Sequence, residues 1–214
     1  MFTGIVEDIG VIERITPGAE SLRLHVRSEK ALEDAAIGDS IAINGVCLTV
    51  SEMTEHSFAA DVIPETMKAT TLGELSVGSS VNVERAMQAN DRFGGHFVTG
   101  HVDTVGTIVR TKRRDNARYV EIETPKEFQP YYITKGSVAV DGTSLTVFGV
   151  TDSGFIISLI PTTEKDTILG DKDVGDTVNV ECDMFAKYID RLLDAREKET
   201  SGVTMEMLVE NGFA

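Results

Sequence analysis

The sequence predicts an all-β protein built from two tandem small barrels and a C-terminal α-helix. Three observations lead to this prediction: the chain repeats itself, each copy is rich in short β-branched runs, and the chain after the second copy follows a helical period. The 19 Gly, 5 Pro and no Trp in 214 residues are typical of a chain with many turns. About six short strands per copy favour a closed barrel, because closure leaves no unpaired strand edge.

The internal repeat has an offset of 96 to 97 residues. It is visible in three pairs of blocks: Thr3–Gly10 with Thr99–Gly106, Asn44–Val50 with Asp141–Val147, and Ile63–Glu84 with Ile160–Glu181. The third pair has 13 identities in 22 positions. Such a period is longer than a solenoid unit of about 20 to 50 residues and matches a small domain. We therefore expect barrels at 1–96 and 97–185 and a helical segment at 186–214, which associates subunits.

Turn signals separate the strands at equivalent places in the two copies. Asn44-Gly45 marks a hairpin in the first copy and Asp141-Gly142 marks it in the second. Val81–Glu84 and Val178–Glu181 alternate apolar with polar residues, which predicts strands with one exposed face.

Helical patterns are few within the repeats. Short helices are predicted at Lys30–Ala36, Pro64–Gly73 and Pro161–Gly170. After Asp183 an amphipathic helix is predicted, with an apolar stripe at Met184, Tyr188, Leu192 and Ala195. This stripe packs either on its own barrel or on another subunit; we favour subunit association, because both repeats look complete without it.

Charge and cysteine content exclude several classes of protein. With 20 Lys+Arg against 35 Asp+Glu the net charge is −15, which disfavours binding to nucleic acid or to anionic membranes. The basic cluster Lys112–Arg114 ends at Asp115 and is interpreted as a hairpin tip. Cys47 and Cys182 form no C-x-x-C pair, so we expect a reducing, cytoplasmic compartment. No signal peptide or membrane-length apolar run is recognised.

Motifs for common cofactors are absent from the sequence. There is no G-x-G-x-x-G after a strand, no Walker A loop and no G-x-S-x-G, and the four His have no zinc-ligand spacing with the cysteines. We therefore expect no cofactor and no metal.

Two polar pairs on strands are candidate ligand contacts. Cys47 and Thr49 share one face of a strand while Leu48 points to the core, and the second copy repeats this pattern at Ser144–Thr146. The polar pairs line either a ligand pocket or a solvated face, and the spacing leaves both interpretations open.

The copies differ in chemically useful groups. The second copy has His101 for Ile5, Ser144 for Cys47, Asp141 for Asn44, and Cys182-Asp183 for Arg85-Ala86. This difference indicates one half that performs chemistry and one that holds a ligand. Drift after duplication is the alternative, and a triad of Ser144, His101 and Asp183 arises by chance in many chains.

Four ordered motifs resemble riboflavin synthase over essentially the whole chain: Met1–Glu7, Asn44–Val50, Phe93–Asp103 and Asp141–Thr146. The resemblance implies six-stranded Greek-key barrels and an enzyme that converts two molecules of 6,7-dimethyl-8-ribityllumazine into riboflavin and 5-amino-6-ribitylamino-2,4-pyrimidinedione without a cofactor. It also implies a homotrimer held by the C-terminal helices, with the productive site between the N-terminal barrel of one subunit and the C-terminal barrel of another. Association with lumazine synthase is left open.

The resemblance further implies the residues that contact the two ligands. For the first ligand these are Gly4, Ile5 and Val6, with Cys47, Leu48 and Thr49 in the same pocket, together with Asp61, Val62, Ile63, Pro64, Glu65 and Thr66. For the second they are Gly100, His101, Val102, Lys135, Ser144, Leu145, Thr146, Leu159, Ile160, Pro161, Thr162, Thr163 and Glu164. Phe2 resembles the family's stacking aromatic residue.

Five residues are predicted to be catalytic. His101 with Ser144 is expected to move a proton or to activate the group that adds at C7 of the lumazine, and Asp183 is expected to orient the charged partner. Cys47 and Thr146 complete the set. The alternative function is a non-catalytic antenna protein that binds lumazine or flavin. A flavin reductase would need a nicotinamide domain, which the segment after the repeats is too short to form.

Overall fold

Each repeat folds into a closed, six-stranded antiparallel barrel, as the computed structural model of the chain shows for residues 1–200 and 205–213. The first barrel consists of β1 (Asp8–Pro17), β2 (Leu22–Arg27), β3 (Ser40–Ile43), β4 (Val46–Met53), β5 (Ser57–Val62) and β6 (Ser80–Arg85). The second consists of β7 (Thr104–Arg114), β8 (Ala117–Glu123), β9 (Ser137–Val140), β10 (Thr143–Val150), β11 (Gly154–Leu159) and β12 (Thr177–Cys182). Both barrels lie in one unit, residues 1–183.

The strand order is the same in both barrels. Around the first it is β1-β2-β5-β4-β3-β6, and the second follows the equivalent order. The neighbours β2-β5 and β3-β6 are not consecutive in sequence, which is the Greek-key connection. The predicted hairpins are present, and Asn44 and Asp141 have φ of 47° and 44°, as such tight turns require. Asp115 lies in the turn between β7 and β8, which confirms the basic hairpin tip.

The helices within the repeats are shorter than predicted. Helix α1 covers Pro64–Ala69 and α2 covers Pro161–Asp166, and a separate 3₁₀ turn follows each of them. The breaks occur at Thr70 and Thr167, which are extended and donate their hydroxyls to carbonyls four residues back, at 2.6 and 2.7 Å. Two further 3₁₀ turns occur, at Lys30–Leu32 in place of the longer predicted helix and at Lys126–Tyr131.

A second unit begins at Met184. It contains α3 (Met184–Thr200), which confirms the predicted helix, and α4 (Met205–Glu210). The most exposed large apolar side chains of α3 are Phe185, Tyr188, Ile189, Leu192 and Leu193. Residues 201–204 and 214 of the predicted segment 186–214 lie outside the described residues. In the described ranges no helix is long and apolar enough to cross a membrane.

Each barrel has its own apolar core, and a third core lies between them. This third cluster consists of Phe2, Ala42, Val98 and Ala139, with Phe2 paired to Val98 by an isolated β-bridge. Small residues on β3 and β9 leave room for the one phenylalanine ring, which has no exposed surface.

The polar faces of β6 and β12 are buried, so the prediction that these strands have an exposed face is wrong. Asn82 donates to the carbonyl of Asp141 at 2.8 Å, and Asn179 donates to the carbonyl of Asn44 at 2.9 Å. The same two amides accept from backbone N–H groups after α2 and α1, both at 2.8 Å. The alternating pattern therefore marks a polar interface between the barrels, because an opposing barrel satisfies these side chains as well as water does.

Candidate functional site

The segment ahead of each barrel packs on the polar strand of the other barrel. The carbonyl of Gly4 accepts from Ser144 N at 2.7 Å, and the carbonyl of Gly100 accepts from Cys47 N at 2.8 Å. The family resemblance predicts that Gly4 shares a pocket with Cys47, whereas in the structure Gly4 contacts Ser144 and Gly100 contacts Cys47. We call Gly4–Val6 with Ser144–Thr146 the Ser144 half-site, and Gly100–Val102 with Cys47–Thr49 the Cys47 half-site.

The close crossing of these segments depends on glycine. Gly4 and Gly100 have φ of 76° and 81°, in the left-handed region that L side chains rarely adopt. A Cβ at Gly4 would lie 2.6 Å from the Ser144 Cβ, and one at Gly100 would lie 2.5 Å from the Cys47 Cβ. A side chain at either position would therefore separate the segment from the strand that it covers.

Buried carboxylates hold both segments. Glu84 Oε1 accepts from Thr3 N at 2.7 Å and from the Thr3 hydroxyl at 3.0 Å, and Gly4 N donates to the same carboxylate at 3.1 Å. Glu181 makes the equivalent contacts to Thr99 and Gly100 at 2.7 to 2.9 Å. Burial raises the pKa of Glu84 to about 7, against the lowering effect of these donors.

The polar pairs on β4 and β10 lie where the sequence predicts. Leu48 and Leu145 point into the barrel cores, whereas Thr49 and Thr146 are exposed and Cys47 is half-buried. A cleft of about 650 Å³ runs from Ile5 and Val6 along the start of β1 to Lys165 and Asp166 at the C-terminal end of α2. The cleft therefore lies beside the first segment, between the first barrel and α2 of the second.

His96 lies on Ser144, which sequence reasoning missed. Its Nδ1 is 2.7 Å from the Ser144 Oγ, and its backbone N donates to the carbonyl of Thr3 at 3.1 Å. Gly95 permits this approach, because a Cβ there would lie 2.0 Å from the Thr3 carbonyl oxygen. His96 stands just before the aligned repeat block, so comparison of the copies gave no signal; the Gly94-Gly95-His96 run was the available clue.

His96 is suited to accept a proton. Burial lowers the pKa of its imidazole, and the charge of Asp183 opposes that shift. Nε2 is buried without a hydrogen-bond partner in the described part of the chain. Asp183 is thus electrostatically linked to this imidazole. His101, the predicted partner of Ser144, is exposed and lies instead in the segment over Cys47.

Lys135 has an unusual backbone for its residue type. Its φ is 71°, and Gly38 has a φ of 99° at the equivalent position of the first barrel. The Lys135 Nζ lies 5.0 Å from the centroid of the Phe148 ring, and Phe148 is itself half-exposed beside Tyr119. A left-handed backbone is costlier for this lysine than for the glycine at the equivalent position of the first barrel.

Residues 61–66 and 159–164, which span the ends of β5 and β11 and the first turns of α1 and α2, include several side chains that are paired or buried. Asp61 is paired with Arg23 at 2.6 Å, which holds the pKa of its carboxyl below the usual range. Val62 and Leu159 are buried in the cores, so only their backbones are available to a ligand. Glu164 accepts from the Arg113 guanidinium. The side chains of Asp61, Ile63, Glu65, Ile160, Pro161 and Thr162 are exposed, and those of Pro64, Thr66, Thr163 and Glu164 are partly buried.

Phe2 is a packing group between the barrels and has no ring face open to a ligand. This burial differs from the stacking role that the sequence suggested. Metal sites are likewise not seen: among the described residues no three His, Cys, Asp or Glu side chains are grouped as metal ligands would be.

Comparison with known proteins identifies the repeats. Residues 3–86 and 99–183 each match the lumazine binding domain. The chain is 48% identical to the riboflavin synthase of Bacillus subtilis over the full length of both proteins. The chain belongs to the riboflavin synthase family. The family extends to Schizosaccharomyces pombe, whose riboflavin synthase is 42% identical over 91% of this chain and 95% of its own.

Membership of the riboflavin synthase family makes the chain an enzyme with two lumazine-binding repeats. A solved structure with the same architecture is LumP complexed with riboflavin, at a TM-score of 0.79 and 27% identity, covering 85% of this chain and 99% of that one. LumP complexed with 6,7-dimethyl-8-(1'-D-ribityl) lumazine has a TM-score of 0.76 at 27% identity, with 85% of this chain and 98% of that one covered.

Proposed function

We propose that the chain converts two molecules of 6,7-dimethyl-8-ribityllumazine into riboflavin and 5-amino-6-ribitylamino-2,4-pyrimidinedione, and that its two half-sites each bind one substrate. The strongest support for this proposal is the pair of equivalent half-sites. In one of them the His96 imidazole is within hydrogen-bond distance of the Ser144 hydroxyl. A reaction between two identical molecules needs two similar pockets with different chemistry.

In the Ser144 half-site the proposed step is proton transfer. The C7 methyl of an N8-substituted lumazine is acidic, because its carbanion delocalises into the ring. When His96 carries its proton on Nε2, Nδ1 accepts the hydroxyl proton of Ser144, which is 2.7 Å away, while the Ser144 oxygen takes up the proton that leaves the C7 methyl. A neutral imidazole, which the lowered pKa of His96 favours, is the form able to do this. Asp183 stabilises the charged imidazolium that results, and Thr146 faces the same ligand.

In the Cys47 half-site the proposed role is to hold the partner molecule. Cys47 and Thr49 lie on the ligand-facing side of β4, and the exposed His101 lies on the segment that covers this strand. His101 is thereby placed to act on the second substrate rather than on Ser144. Residues 61–66 and 159–164 border the Cys47 and Ser144 half-sites, respectively, and Lys135 reaches a ligand from the second barrel. Much of the rate then comes from holding two molecules in one orientation.

The proposed assembly is a homotrimer with barrels at 1–96 and 97–185 and an association segment at 186–214. Support comes from the exposed apolar side chains of α3, such as Tyr188 and Leu192, which need a partner. Assembly would bring the N-terminal barrel of one subunit to the C-terminal barrel of another, so that two substrates meet. We place the protein in the cytoplasm, in keeping with two cysteines that form no disulfide in the described residues, and association with lumazine synthase is a separate hypothesis.

The deciding experiment is incubation of the purified chain with 6,7-dimethyl-8-ribityllumazine alone. We expect one riboflavin for every two lumazines consumed, followed by absorbance and chromatography. Tight lumazine binding with no riboflavin formed would contradict the proposal and favour the antenna function.

A further inference from the structure

Glu84 and Glu181 are carboxyl groups buried without a cation. Their exposed fractions are 6% and 3%, and neither forms a salt bridge in the described ranges. A carboxylate in such a place needs several hydrogen bonds to offset its lost hydration. Among the described residues, the donors to each carboxylate come from one short segment: Thr3 and Gly4 for Glu84, Thr99 and Gly100 for Glu181.

The segments that these carboxylates hold do not stay on the same barrel. Glu84 lies on β6 of the first barrel, whereas the carbonyl of Gly4 accepts a hydrogen bond from Ser144 N on β10 of the second barrel, at 2.7 Å. Glu181 lies on β12 of the second barrel, and Gly100 contacts Cys47 N on β4 of the first, at 2.8 Å. Each carboxylate therefore lies on one barrel, and the polar strand of the half-site that it supports lies on the other.

The hydrogen bonds leave little freedom between the carboxylate and the half-site. Gly4 N donates to the Glu84 carboxylate and the Gly4 carbonyl accepts from Ser144 N, so a single residue connects the carboxylate to β10. Release of the carboxylate would let the segment move off β10, together with Ile5 and Val6 that line the cleft. The residues Ser144–Thr146 on β10 would keep their positions in the second barrel.

We propose that Glu84 and Glu181 are positioning residues that act crosswise: Glu84 shapes the Ser144 half-site and Glu181 shapes the Cys47 half-site. This inference rests on the proposed function, since it assumes that each half-site binds one ligand. It predicts that damage to a carboxylate of one barrel weakens binding at the other barrel's polar strand. A carboxylate that merely stabilised its own barrel would show no such preference.

The test uses the full chain and riboflavin labelled with ¹³C, observed by NMR so that the two bound ligands give separate signals. Thr146→Ala and Thr49→Ala assign the signals to the Ser144 and Cys47 half-sites. The matched variants Glu84→Gln and Glu181→Gln keep side-chain size but remove the charge. Glu84→Gln should weaken binding at the Ser144 half-site by about tenfold or more and at the Cys47 half-site by less than about threefold, with the reverse for Glu181→Gln.

Milder variants guard against loss of folding. Thr3→Val and Thr99→Val each remove one hydroxyl donor to the carboxylate and should show the same crosswise preference at about threefold. Equal weakening of both signals, or weakening at the half-site on the same barrel, or no weakening would each overturn the positioning role. Absence of any bound riboflavin on the unmodified chain would instead refute the proposed function.

Discussion

The two barrels share their backbone plan down to single hydrogen bonds. Strand order, the helix break at Thr70 and Thr167, and the carboxylates Glu84 and Glu181 occur in both. These shared features fix backbone geometry. Strand order, the helix breaks and the buried carboxylates are thus the features that the two barrels have in common in forming their folds and packing on each other.

The differences concern groups that can hold a proton or a charge. Ser144 has His96 at hydrogen-bond distance, whereas the half-buried Cys47 has no histidine bonded to it among the described residues. Buried Asp141 lies 3.6 Å from Lys172, where the first barrel has the neutral Asn44 and, by repeat position, Leu75. Since the fold forms with either set, the extra titratable groups of the second barrel are not needed for folding. They point to unequal chemistry in two similar half-sites.

Removal of the His96 imidazole, which contacts Ser144, should have the largest effect, because it removes the main chemical difference between the two half-sites. His96→Ala should lower the turnover number by about 100-fold or more, because general acid–base groups contribute about 10²–10⁴-fold. Riboflavin formation at saturating lumazine measures it. The control is Cys47→Ser, which places a hydroxyl in the Cys47 half-site and should change turnover by less than about tenfold. Full turnover of the His96→Ala variant would show that the Ser144–His96 pair does not transfer the proton.

The second effect concerns the buried carboxyl between the barrels. Burial raises the pKa of Asp141 to about 6, with Lys172 acting against that shift. The folded chain therefore keeps a proton that the unfolded chain loses, so stability falls as pH rises from about 4 to about 6 and stays lower above. Asp141→Asn should raise the free energy of unfolding at pH 8 by about 1–3 kcal/mol and have a smaller effect at pH 4.

The reverse exchange is the matched control. Asn44→Asp places a carboxyl where no lysine stands at the repeat-equivalent position, so it should destabilise the chain at pH 8 more than at pH 4. Urea unfolding of both variants at one fixed protein concentration gives these values. Identical pH dependence in Asp141→Asn and the unmodified chain would contradict the assignment of this titration to Asp141.

The smallest effect is expected where the second barrel has Lys135 in a glycine conformation. Lys135→Gly relieves a left-handed backbone and should raise stability by about 1 kcal/mol or less, while lumazine binding weakens. Gly38→Lys, the converse change, should lower stability by a similar amount. Calorimetric binding of lumazine to Lys135→Gly decides whether the side chain has a use; unchanged affinity would show that it has none.

Much of the fold could be predicted from the sequence because its signals are local. Asn44-Gly45 and Asp141-Gly142 specify their hairpins, and the inward position of Leu48 follows from strand alternation alone. The polar faces with Asn82 and Asn179 are different, since an alternating pattern looks the same whether water or another barrel covers it.

The arrangement of the half-sites could not be predicted for a related reason. Comparison of the copies shows that Gly4 is equivalent to Gly100 and Cys47 to Ser144. The same alignment would result whether each segment packs on its own barrel or on the other one. His96 belongs to neither aligned repeat block, and its contact with Ser144 exists only after the segments cross. Long-range packing, which no local pattern encodes, decides both.

In the proposed arrangement each substrate lies between a segment of one repeat and the polar strand of the other. A crystal structure of the chain with riboflavin bound tests this arrangement. We expect one flavin ring in contact with Gly4–Val6 and with Ser144–Thr146, and a second in contact with Gly100–Val102 and with Cys47–Thr49. A ring held by Gly4–Val6 together with Cys47–Thr49 of the same chain would contradict it.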